Sequence, residues 1–360
     1  MQDIEMVYVM YHNRRVGRLS MGVKSECLFE YDREWLTNGF SISPLHLPLR
    51  AGLFSADYQP FNGNFGIFED SLPGGYGEHL IRKVLAKRGI DYWSLTIVQR
   101  LSLVGSSGMG ALCYVPETYL HPSEAQPSFD EMQRMALEVL SERTDEQVDM
   151  LYFRSGNSGG VRPKCLYHDE EGQWMVKFRN TFDPKNIGEI EYKYNTAARA
   201  CGIDVPDFKL IGGKYFAEKR FDIENGIRLH VATASALLNE PISPPKMDYH
   251  SLLQLTGYLT QSLEAVEQQF RRMAFNVYAR NYDDHARNFS FICREGQWSL
   301  APAYDLTNDS TLGEHATTVN FNGLPTDKDM ITVGTNAHIS EKRCKEIIEE
   351  VKNGVATLIK

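Results

Sequence analysis

The sequence predicts an α+β protein of two domains, in which strand-rich segments come before a mostly helical one. Residues 5–31 alternate apolar and polar side chains, which is typical of short antiparallel strands. Strand pairs are also predicted around residues 165–178 and 208–220, with a helix near 187–201 between them. From about residue 230 to 280 the apolar spacing is helical. A chain of 360 residues is too long for one simple core, so two domains are expected.

Composition and charge limit the classes of function. Of the 360 residues, 42% are hydrophobic and 24% are charged, as in an ordered globular protein. The net charge of −9 argues against broad, non-specific binding of nucleic acid or anionic membranes. Six cysteines without a Cys-x-x-Cys pair predict reduced thiols rather than a zinc site or disulfides. Neither a leader peptide nor a run of about eighteen apolar residues is found, so we expect a cytoplasmic protein that does not enter the membrane.

The first domain is predicted to continue with helices. The apolar spacing from residue 80 predicts an amphipathic helix that ends near Gly89, and a second helix is predicted over residues 92–103. The glycine-rich residues 105–110 lack the Lys-Ser/Thr that completes a P-loop, so we interpret them as a turn between helix and strand. Residues 121–129, with Pro122 and Pro127, have the turn and breaker residues of a linker, and a domain boundary is expected near residues 120–150. The predicted divisions are an N-terminal α/β subdomain with its linker at residues 1–145 and a second domain at 146–360, with a small lobe at about 146–222 and a helical lobe at about 223–360.

The most informative motif is Asp-Asp-His-Ala-Arg-Asn at residues 283–288, followed by Asp305 beyond a predicted strand hairpin. An aspartate, an asparagine five residues later and a second aspartate are the parts of a protein-kinase site. In such a site the first aspartate orients or deprotonates the attacking hydroxyl, and the other two residues hold Mg²⁺ against the phosphates of ATP. We therefore expect Asp283 to be the catalytic base, and Asn288 and Asp305 to be metal ligands.

Other interpretations of these residues are open. Asp283 and Asp284 are both suitable by residue type, and only the spacing to the asparagine favours Asp283. His285 is expected to contact phosphate, to hold the catalytic loop or to be buried. The same segment would also form a polar turn after a helix that ends near Ala279, and Asp305 would also suit a strand end that binds backbone N–H groups.

Lys177 lies in the alternating strand Met-Val-Lys-Phe after a glycine-rich turn, which is the place of the strand lysine in kinases. We expect it to bind the α and β phosphates of ATP, with Glu191 on the next helix preferred over Glu189 as its counter-charge. The turn before this strand is predicted to offer backbone N–H groups to phosphate. The predicted residues of this phosphate site are Ser158, Gly159, Gly160, Val161 and Lys164.

The predicted small lobe ends where a kinase hinge would lie. Backbone groups of Lys219 and Phe221 are the candidates for the adenine edge of ATP. A sheet followed by helices is also the order of the two lobes of a protein kinase. With Lys177, Asp283 and Asp305 in this order, the sequence predicts a phosphotransferase with a two-lobed protein-kinase fold.

Together these segments resemble the HipA family of bacterial serine/threonine kinases, the toxin halves of type II toxin–antitoxin pairs, over nearly the whole chain. The motifs that carry the resemblance are Phe-Glu-Asp-Ser-Leu-Pro-Gly-Gly-Tyr-Gly from Phe68, Leu-Val-Gly from Leu103, Met-Gly-Ala-Leu from Met109, Gly-Gly-Val-Arg-Pro-Lys from Gly159, Val-Lys-Phe from Val176, Glu191, Cys-Gly-Ile-Asp-Val-Pro from Cys201, Arg-Phe-Asp from Arg220, Asp-Asp-His-Ala-Arg-Asn-Phe-Ser from Asp283 and Leu-Ala-Pro-Ala-Tyr-Asp from Leu300.

The resemblance implies a phosphatidylinositol-kinase-like fold behind an N-terminal HipA α/β subdomain. It also implies Mg²⁺-dependent use of ATP and phosphorylation of a serine or threonine of a protein. In relatives the targets include aminoacyl-tRNA synthetases, whose inactivation stops translation and growth. A helix-turn-helix antitoxin similar to HipB is implied as the partner, so DNA is expected only indirectly, through the antitoxin.

The chain departs from the family pattern in three places. Family members phosphorylate a serine of their own phosphate loop, but Asn157 aligns with that serine, which leaves Ser158 and Ser155 as the candidate sites. Lys219 replaces the usual glutamate, and the chain stops soon after a predicted helix at about 340–351, where typical members continue. These departures keep two alternatives open: a weak or inactive ATP-binding module acting through antitoxin and operator, and a small-molecule kinase with the same site.

Overall fold

The computed structural model describes residues 4–120, 127–155, 159–308 and 313–358. The chain consists of two compact units. Unit 1 comprises Met1–Gly188 and Lys209–His230, and unit 2 comprises Glu189–Phe208 and Val231–Lys360. The predicted small lobe therefore shares unit 1 with the N-terminal subdomain, except for residues 189–208.

An antiparallel sheet opens unit 1. Its strands are β1 (Met6–Tyr11), β2 (Arg14–Met21), β3 (Cys27–Tyr31), β4 (Leu53–Ser55) and β5 (Leu112–Val115). They are arranged in the order β4-β3-β2-β1-β5. Val7 and Val9 are fully buried while their neighbours in β1 are half-buried, because successive residues of a strand face opposite sides of the sheet. The strands predicted over residues 5–31 are confirmed.

Among the described residues of unit 1, six α-helices accompany the sheet. They are α1 (Arg33–Asn38), α2 (Gly66–Glu69), α3 (Tyr76–Ala86), α4 (Ile97–Val104), α5 (Phe129–Leu140) and α6 (Val148–Ser155). The helix predicted to end near Gly89 is α3. The helix predicted over residues 92–103 is divided, because Thr96 and Gln99 form a capping box that starts α4 after a short 3-10 turn.

The region of the expected domain boundary, residues 120–150, contains two helices that the sequence did not predict. The helices α5 and α6 occupy most of it, and α5 begins at a capping box between Ser128 and Glu131. Met132 and Met135 are buried in the hydrophobic core of unit 1. Residues 121–126 of the expected linker lie outside the described residues.

A second sheet in the chain carries the predicted ATP-binding lysine. Its strands are β6 (Lys164–Asp169), β7 (Gly172–Lys177), β8 (Phe208–Ile211) and β9 (Tyr215–Lys219), in the order β6-β7-β9-β8. A separate two-stranded sheet of β10 (Ile223–Glu224) and β11 (Ile227–Arg228) follows β9 in the chain. The helix α7 (Ile187–Ala200) connects β7 to β8. Both predicted strand pairs and the helix near residues 187–201 are confirmed.

Residues 105–110 form the predicted turn between α4 and β5. The segment that follows β9 contacts this turn through a hydrogen bond. The N–H of Gly110 donates a hydrogen bond to the buried carboxylate of Asp222 at 2.8 Å. The Arg220 guanidinium donates two more, the shorter at 2.6 Å. Burial acts to raise the pKa of Asp222, but Arg220 and Gly110 outweigh it, and the pKa lies below its ordinary value.

Unit 2 is mostly helical, as predicted from about residue 230 onward. Its later elements are α8 (Ala234–Leu238), α9 (Tyr249–Thr260), α10 (Leu263–Ala279), α11 (Asp327–Asn336) and α12 (Glu341–Leu358), and a sheet of β12 (His230–Thr233), β13 (Ser290–Arg294) and β14 (Gln297–Leu300). All six cysteines are free and five are buried, as expected for reduced thiols. No helix among the described residues combines the length and apolar character needed to cross a bilayer.

Candidate functional site

The segment with the predicted catalytic residues directly follows α10. This helix ends at Ala279, as predicted, and Arg280 caps it in the left-handed conformation with φ of 55°. A short 3-10 turn, Ala286–Asn288, begins after His285. The antiparallel hairpin of β13 and β14 then leads toward Asp305. The two motifs of the predicted site are thus joined by a hairpin.

The two neighbouring aspartates have opposite environments. The carboxylate of Asp284 is fully buried, accepts hydrogen bonds from Tyr249 Oη at 2.9 Å and Thr317 N at 3.1 Å, and lies 3.0 Å from Nδ1 of His315. The side chain of Asp283 is 44% exposed. A base must reach the proton that it removes, and of the two carboxylates only that of Asp283 is partly accessible to solvent. Asp284 instead holds the loop to the interior of unit 2.

Asn288 is fixed to the same loop. Its Nδ2 donates a hydrogen bond to the backbone carbonyl of Asp283 at 2.7 Å, and its backbone N–H donates to the carbonyl of His285 at 2.8 Å. Because Nδ2 is the donor, Oδ1 is left as the acceptor atom of the amide. An amide oxygen held in this way is a ligand of the kind that Mg²⁺ prefers.

Asp305 lies near this loop, and Tyr304 holds it there. The Tyr304 hydroxyl donates to the carbonyl of Arg287 at 2.7 Å. Asp305 has φ of 53°, a left-handed conformation that aspartate adopts more readily than most residues, and its carbonyl accepts a hydrogen bond from Asn281 Nδ2 at 3.1 Å. Asn288 and Asp305 line one small cleft. The structure therefore brings together the two predicted metal ligands.

His285 is mostly buried beside the predicted base, with its Nε2 3.9 Å from Asp283 Oδ1. Burial lowers the pKa of His285 below its ordinary value, although the carboxylate of Asp305 acts to raise it. Among the described residues, Nδ1 has no hydrogen-bond partner. Burial therefore acts against a charged imidazole at this position.

The oxygen atoms of the cleft fit a magnesium ion. Mg²⁺ is commonly bound by one or two protein oxygens and completes its octahedron with phosphates and water. Asn288 Oδ1 and the Asp305 carboxylate are two such hard oxygen donors. The described part of the chain contains no group of three or more His, Cys, Asp or Glu residues that could form a separate metal site.

Four buried polar residues around the cleft were missed by sequence reasoning: Tyr249, Asn276, Asn281 and His315. They belong to α9, to α10 and to segments on either side of the hairpin. No motif marks them, because their contacts join residues far apart in the chain. The only signal in the sequence was Asn276, a polar residue that follows Met-Ala-Phe in a helix.

In unit 1, Lys177 ends β7 with its side chain only 7% exposed. Its Nζ lies 3.8 Å from Oε1 of Glu218 and 5.5 Å from the centre of the Phe216 ring. Lys164 is its partner residue across β6 and β7. A buried ammonium group needs a charge partner, and the nearby carboxylate of Glu218 stabilises the cation of Lys177 at this position.

The described part of the predicted phosphate loop is Gly159, Gly160 and Val161; Ser158 lies outside the described residues. Lys164 Nζ donates a hydrogen bond to the carbonyl of Gly159. Gly160 has φ of 83°, a conformation that favours glycine, and Val161 is 67% exposed. Lys164 therefore fixes the loop through the Gly159 carbonyl, while the backbone of Gly159 and Gly160 remains accessible to solvent.

The start of α3 contacts this loop. The N–H of Tyr76 donates a hydrogen bond to the carbonyl of Gly160 at 2.9 Å. A Cβ added at Gly75, which has φ of 52°, would collide with the same carbonyl. Ser155, the other candidate phosphorylation site, is buried at the end of α6, and its hydroxyl donates to the carbonyl of Tyr152 at 3.2 Å. In this conformation Ser155 is closed to a phosphate donor.

The remaining predicted residues lie on regular elements. Glu191 is buried in α7 whereas Glu189 is exposed, and both belong to unit 2. Lys219 ends β9 opposite Trp174, with its Nζ 6.0 Å from the indole ring, and the half-buried Phe221 follows. Lys219 is thus the last residue of the strand next to the one that carries Lys177, and Phe221 lies two residues beyond it.

Family models identify the class of protein. The model of the HipA-like C-terminal domain matches residues 156–359, and the model of the HipA N-terminal domain matches residues 7–115. The chain belongs to the HipA family. The family that the sequence motifs resembled is thereby confirmed.

The solved structures agree with this result. HipA in the complex of the Shewanella oneidensis MR-1 toxin–antitoxin system HipA, HipB and operator DNA superimposes with a TM-score of 0.72 at 17% identity, over 98% of this chain and 90% of that chain. The predicted α+β, kinase-like fold is confirmed as the fold of HipA.

Among curated proteins, the chain is 26% identical over 199 residues to Y4dM of Sinorhizobium fredii (strain NBRC 101917 / NGR234), whose name proposes that it is a kinase. The alignment covers 48% of this chain and 47% of Y4dM, so the chain spans about half the length of this curated relative.

Proposed function

We propose that the protein is a Mg²⁺-dependent kinase that transfers the γ-phosphoryl group of ATP to a serine or threonine of another protein. The observation that carries this proposal is the cleft of unit 2. In this cleft Asn288 lies with Asp305, and the side-chain amide of Asn288 is hydrogen-bonded to the backbone carbonyl of Asp283, whose side chain is 44% exposed. The HipA family membership of the chain supports the same activity.

In this proposal, Asp283 orients the acceptor hydroxyl and takes its proton at a carboxylate oxygen as the new O–P bond forms. The bond between the γ-phosphorus and the bridging oxygen breaks, and ADP leaves with that oxygen. Asn288 Oδ1 and the Asp305 carboxylate hold Mg²⁺, which when bound neutralises charge on the phosphate oxygens. The hydrogen bond from Asn288 to the Asp283 carbonyl keeps the base and this ligand in a fixed relation.

The residues of unit 1 bind the nucleotide. Lys177 pairs with the α and β phosphates. The backbone N–H groups of residues 159–161, with Lys164 beneath them, bind phosphate. Backbone groups of Lys219 and Phe221 bind the adenine edge. The buried position of Lys177 and the accessible loop backbone support these roles.

We also propose a helix-turn-helix antitoxin similar to HipB as the partner. The Shewanella HipA structure contains HipB and operator DNA, which supports such a partner. The net charge of −9 favours DNA binding through the antitoxin rather than by this chain itself. A translation protein such as an aminoacyl-tRNA synthetase is the proposed target, because its inactivation would stop growth.

The activity is tested by incubating the purified protein with a cell lysate, Mg²⁺ and ATP labelled at the γ-phosphate. The wild type is expected to label a discrete protein on serine or threonine, and Asp283→Ala is expected not to. Asp57→Ala, which removes an exposed carboxylate of unit 1, is the matched control and should label as the wild type does. Equal labelling by Asp283→Ala contradicts the proposal, and labelled metabolites in place of a protein would instead indicate a small-molecule kinase.

The partner is tested by co-expression with the helix-turn-helix protein encoded nearest to this gene. Co-purification of the two proteins and a gel shift of the upstream DNA only when both are present are the expected results. A shift by the chain alone would contradict DNA binding through an antitoxin.

A further inference from the structure

A buried chain of hydrogen bonds connects the carboxylate of Asp284 to the backbone of Asp305. The Tyr249 hydroxyl donates to Asp284 Oδ2 at 2.9 Å, and Asn276 Nδ2 donates to that hydroxyl at 3.0 Å. Asn281 Nδ2 donates to Asn276 Oδ1 at 3.1 Å and to the Asp305 carbonyl at 3.1 Å. The chain thus begins beside the predicted base and ends at the predicted metal ligand.

These side chains lie in the interior of unit 2. Asp284 and Tyr249 are fully buried, and Asn276 and Asn281 are each 2% exposed. Buried polar groups are unfavourable unless they are hydrogen-bonded, and apolar residues would fill the same space at lower cost. A buried network in which each member bonds to the next restricts the structure to one arrangement. The network is therefore suited to positioning rather than to stability alone.

The Asp284 end of the network is held from a third direction. Thr317 donates its backbone N–H to Asp284 Oδ1 at 3.1 Å and its hydroxyl to the Asp284 carbonyl. His315 Nδ1 lies 3.0 Å from Asp284 Oδ2. With both its side chain and its backbone fixed, Asp284 also fixes the neighbouring residue, Asp283, along the chain.

At the other end, Asp305 adopts the left-handed conformation, with φ of 53°. A non-glycine residue remains in this region when its surroundings hold it there. The hydrogen bond from Asn281 to the Asp305 carbonyl stabilises this conformation. The hydrogen bond from the hydroxyl of Tyr304, the preceding residue, to the Arg287 carbonyl stabilises it further. The direction of the Asp305 carboxylate depends on this backbone conformation.

We propose that Tyr249, Asn276, Asn281 and Asp284 are positioning residues that set Asp305 relative to Asn288 and Asp283 before Mg²⁺ binds. The metal then meets two oxygen ligands already in place, which lowers the Mg²⁺ concentration needed for nucleotide binding. This inference rests on the proposed function, because it assigns the network to the metal of that site.

The test measures the binding of ADP by thermal shift as a function of Mg²⁺ concentration, without any turnover. Asn281→Ala removes both hydrogen bonds of the amide, and Tyr249→Phe removes one hydroxyl while keeping the ring. We expect the half-saturating Mg²⁺ concentration to rise about tenfold or more in Asn281→Ala and by less in Tyr249→Phe, as expected from the loss of one or two hydrogen bonds. Binding of ADP in EDTA should stay within about twofold of the wild type, because the direct nucleotide contacts are unchanged.

Val266→Ala is the control for stability. Val266 is buried in α10, away from the network, so its truncation lowers the melting temperature without touching Asn281. If Val266→Ala raises the Mg²⁺ requirement as much as the network variants do, or if they do not raise it at all, the positioning role is overturned. Because Tyr249→Phe keeps the packing of the ring, it provides the result even if Asn281→Ala does not fold.

The Mg²⁺ dependence of ADP binding by the wild type distinguishes a failure of the proposed function from a failure of the positioning role. Wild-type protein that binds ADP without any dependence on Mg²⁺ contradicts both the proposed function and the positioning role. Wild-type protein that depends on Mg²⁺, with network variants that behave like the wild type, contradicts the positioning role alone.

Discussion

The side-chain amide of Asn288 donates to the backbone carbonyl of Asp283 at 2.7 Å, so one hydrogen bond joins the proposed metal ligand to the proposed base. The bond makes Nδ2 the donor of the amide and Oδ1 its acceptor atom, and it holds the loop that carries the partly exposed carboxylate. Asp284, the next residue after Asp283, is fully buried and lines the same cleft as Asn288. This relation makes the roles of these residues separable by substitution.

Asp283→Asn and Asp284→Asn should have different consequences. Asp283→Asn is expected to reduce the rate of phosphoryl transfer by about 10²–10⁴, because it removes the base and leaves an exposed isosteric side chain. Asp284→Asn replaces an acceptor of buried hydrogen bonds with a donor and is expected to lower the free energy of unfolding by about 3 kcal/mol. Initial rates and urea unfolding of both variants provide the comparison. A fully stable, inactive Asp284→Asn with an active Asp283→Asn would reverse the two assignments.

Asp305→Asn is expected to keep the fold and lose the metal. Asparagine tolerates the left-handed conformation of this position, so the melting temperature should change little. Loss of the charged ligand should reduce the rate at a fixed Mg²⁺ concentration by about 10²-fold or more. Mg²⁺ titration of the rate is the measurement. The free energy of unfolding of Asp305→Ala should be lower than that of Asp305→Asn by about 1–2 kcal/mol, since alanine disfavours that backbone conformation. If the Mg²⁺ dependence of the rate is unchanged in both variants, Asp305 is not a metal ligand.

Lys177→Met should weaken the use of ATP. Methionine has a similar length and suits a buried site, but it cannot donate to phosphate. The loss of a charge-assisted hydrogen bond of about 1.5–3 kcal/mol predicts a fall in kcat/KM for ATP of about 10- to 150-fold. Lys185→Met, at an exposed position, is the matched control. A normal kcat/KM in Lys177→Met would show that this lysine serves only the sheet.

His230 makes unit 1 sensitive to acid. Its Nε2 donates to the Ile42 carbonyl at 2.8 Å, and complete burial lowers its pKa to about 4 although this bond acts to raise it. Because an unfolded histidine has a pKa of about 6.5, the unfolded chain binds more protons between pH 6.5 and 4. Stability should therefore be full above pH 6.5 and fall by up to about 3 kcal/mol as the pH decreases to 4.

Urea unfolding across this pH range tests the prediction. His230→Gln keeps an N–H donor for the Ile42 carbonyl but cannot titrate, so its stability should vary less with pH than that of the wild type. Parallel pH profiles in the two proteins would show that His230 is not the responsible group.

Much of the fold was predictable because local patterns carry it. Alternation over residues 5–31 and the end of α10 at Ala279 are properties of short stretches. The helices α5 and α6 were missed because two prolines gave residues 121–129 the composition of a linker, although the capping box at Ser128 was present in the sequence.

The site was predictable only in part. Spacing selected Asp283, Asn288 and Asp305, and the structure brings the last two into one cleft. Spacing could not reveal that Asp284 is buried against Tyr249 and His315, since these contacts join α9, the loop and the segment beyond the hairpin. Interactions between distant residues have no periodic signal in a single sequence.

The close approach of Gly75 to Gly160 ties an N-terminal helix to a loop of the HipA-like C-terminal domain. Residue 75 cannot gain a side chain unless the backbone at residue 160 moves, and both positions have backbone angles that favour glycine. We therefore expect a homologue that replaces Gly75 to have an altered loop at the position of Gly160 as well. A chain shortened to its C-terminal domain would lack these contacts, so we expect its loop at residue 160 to adopt a different conformation.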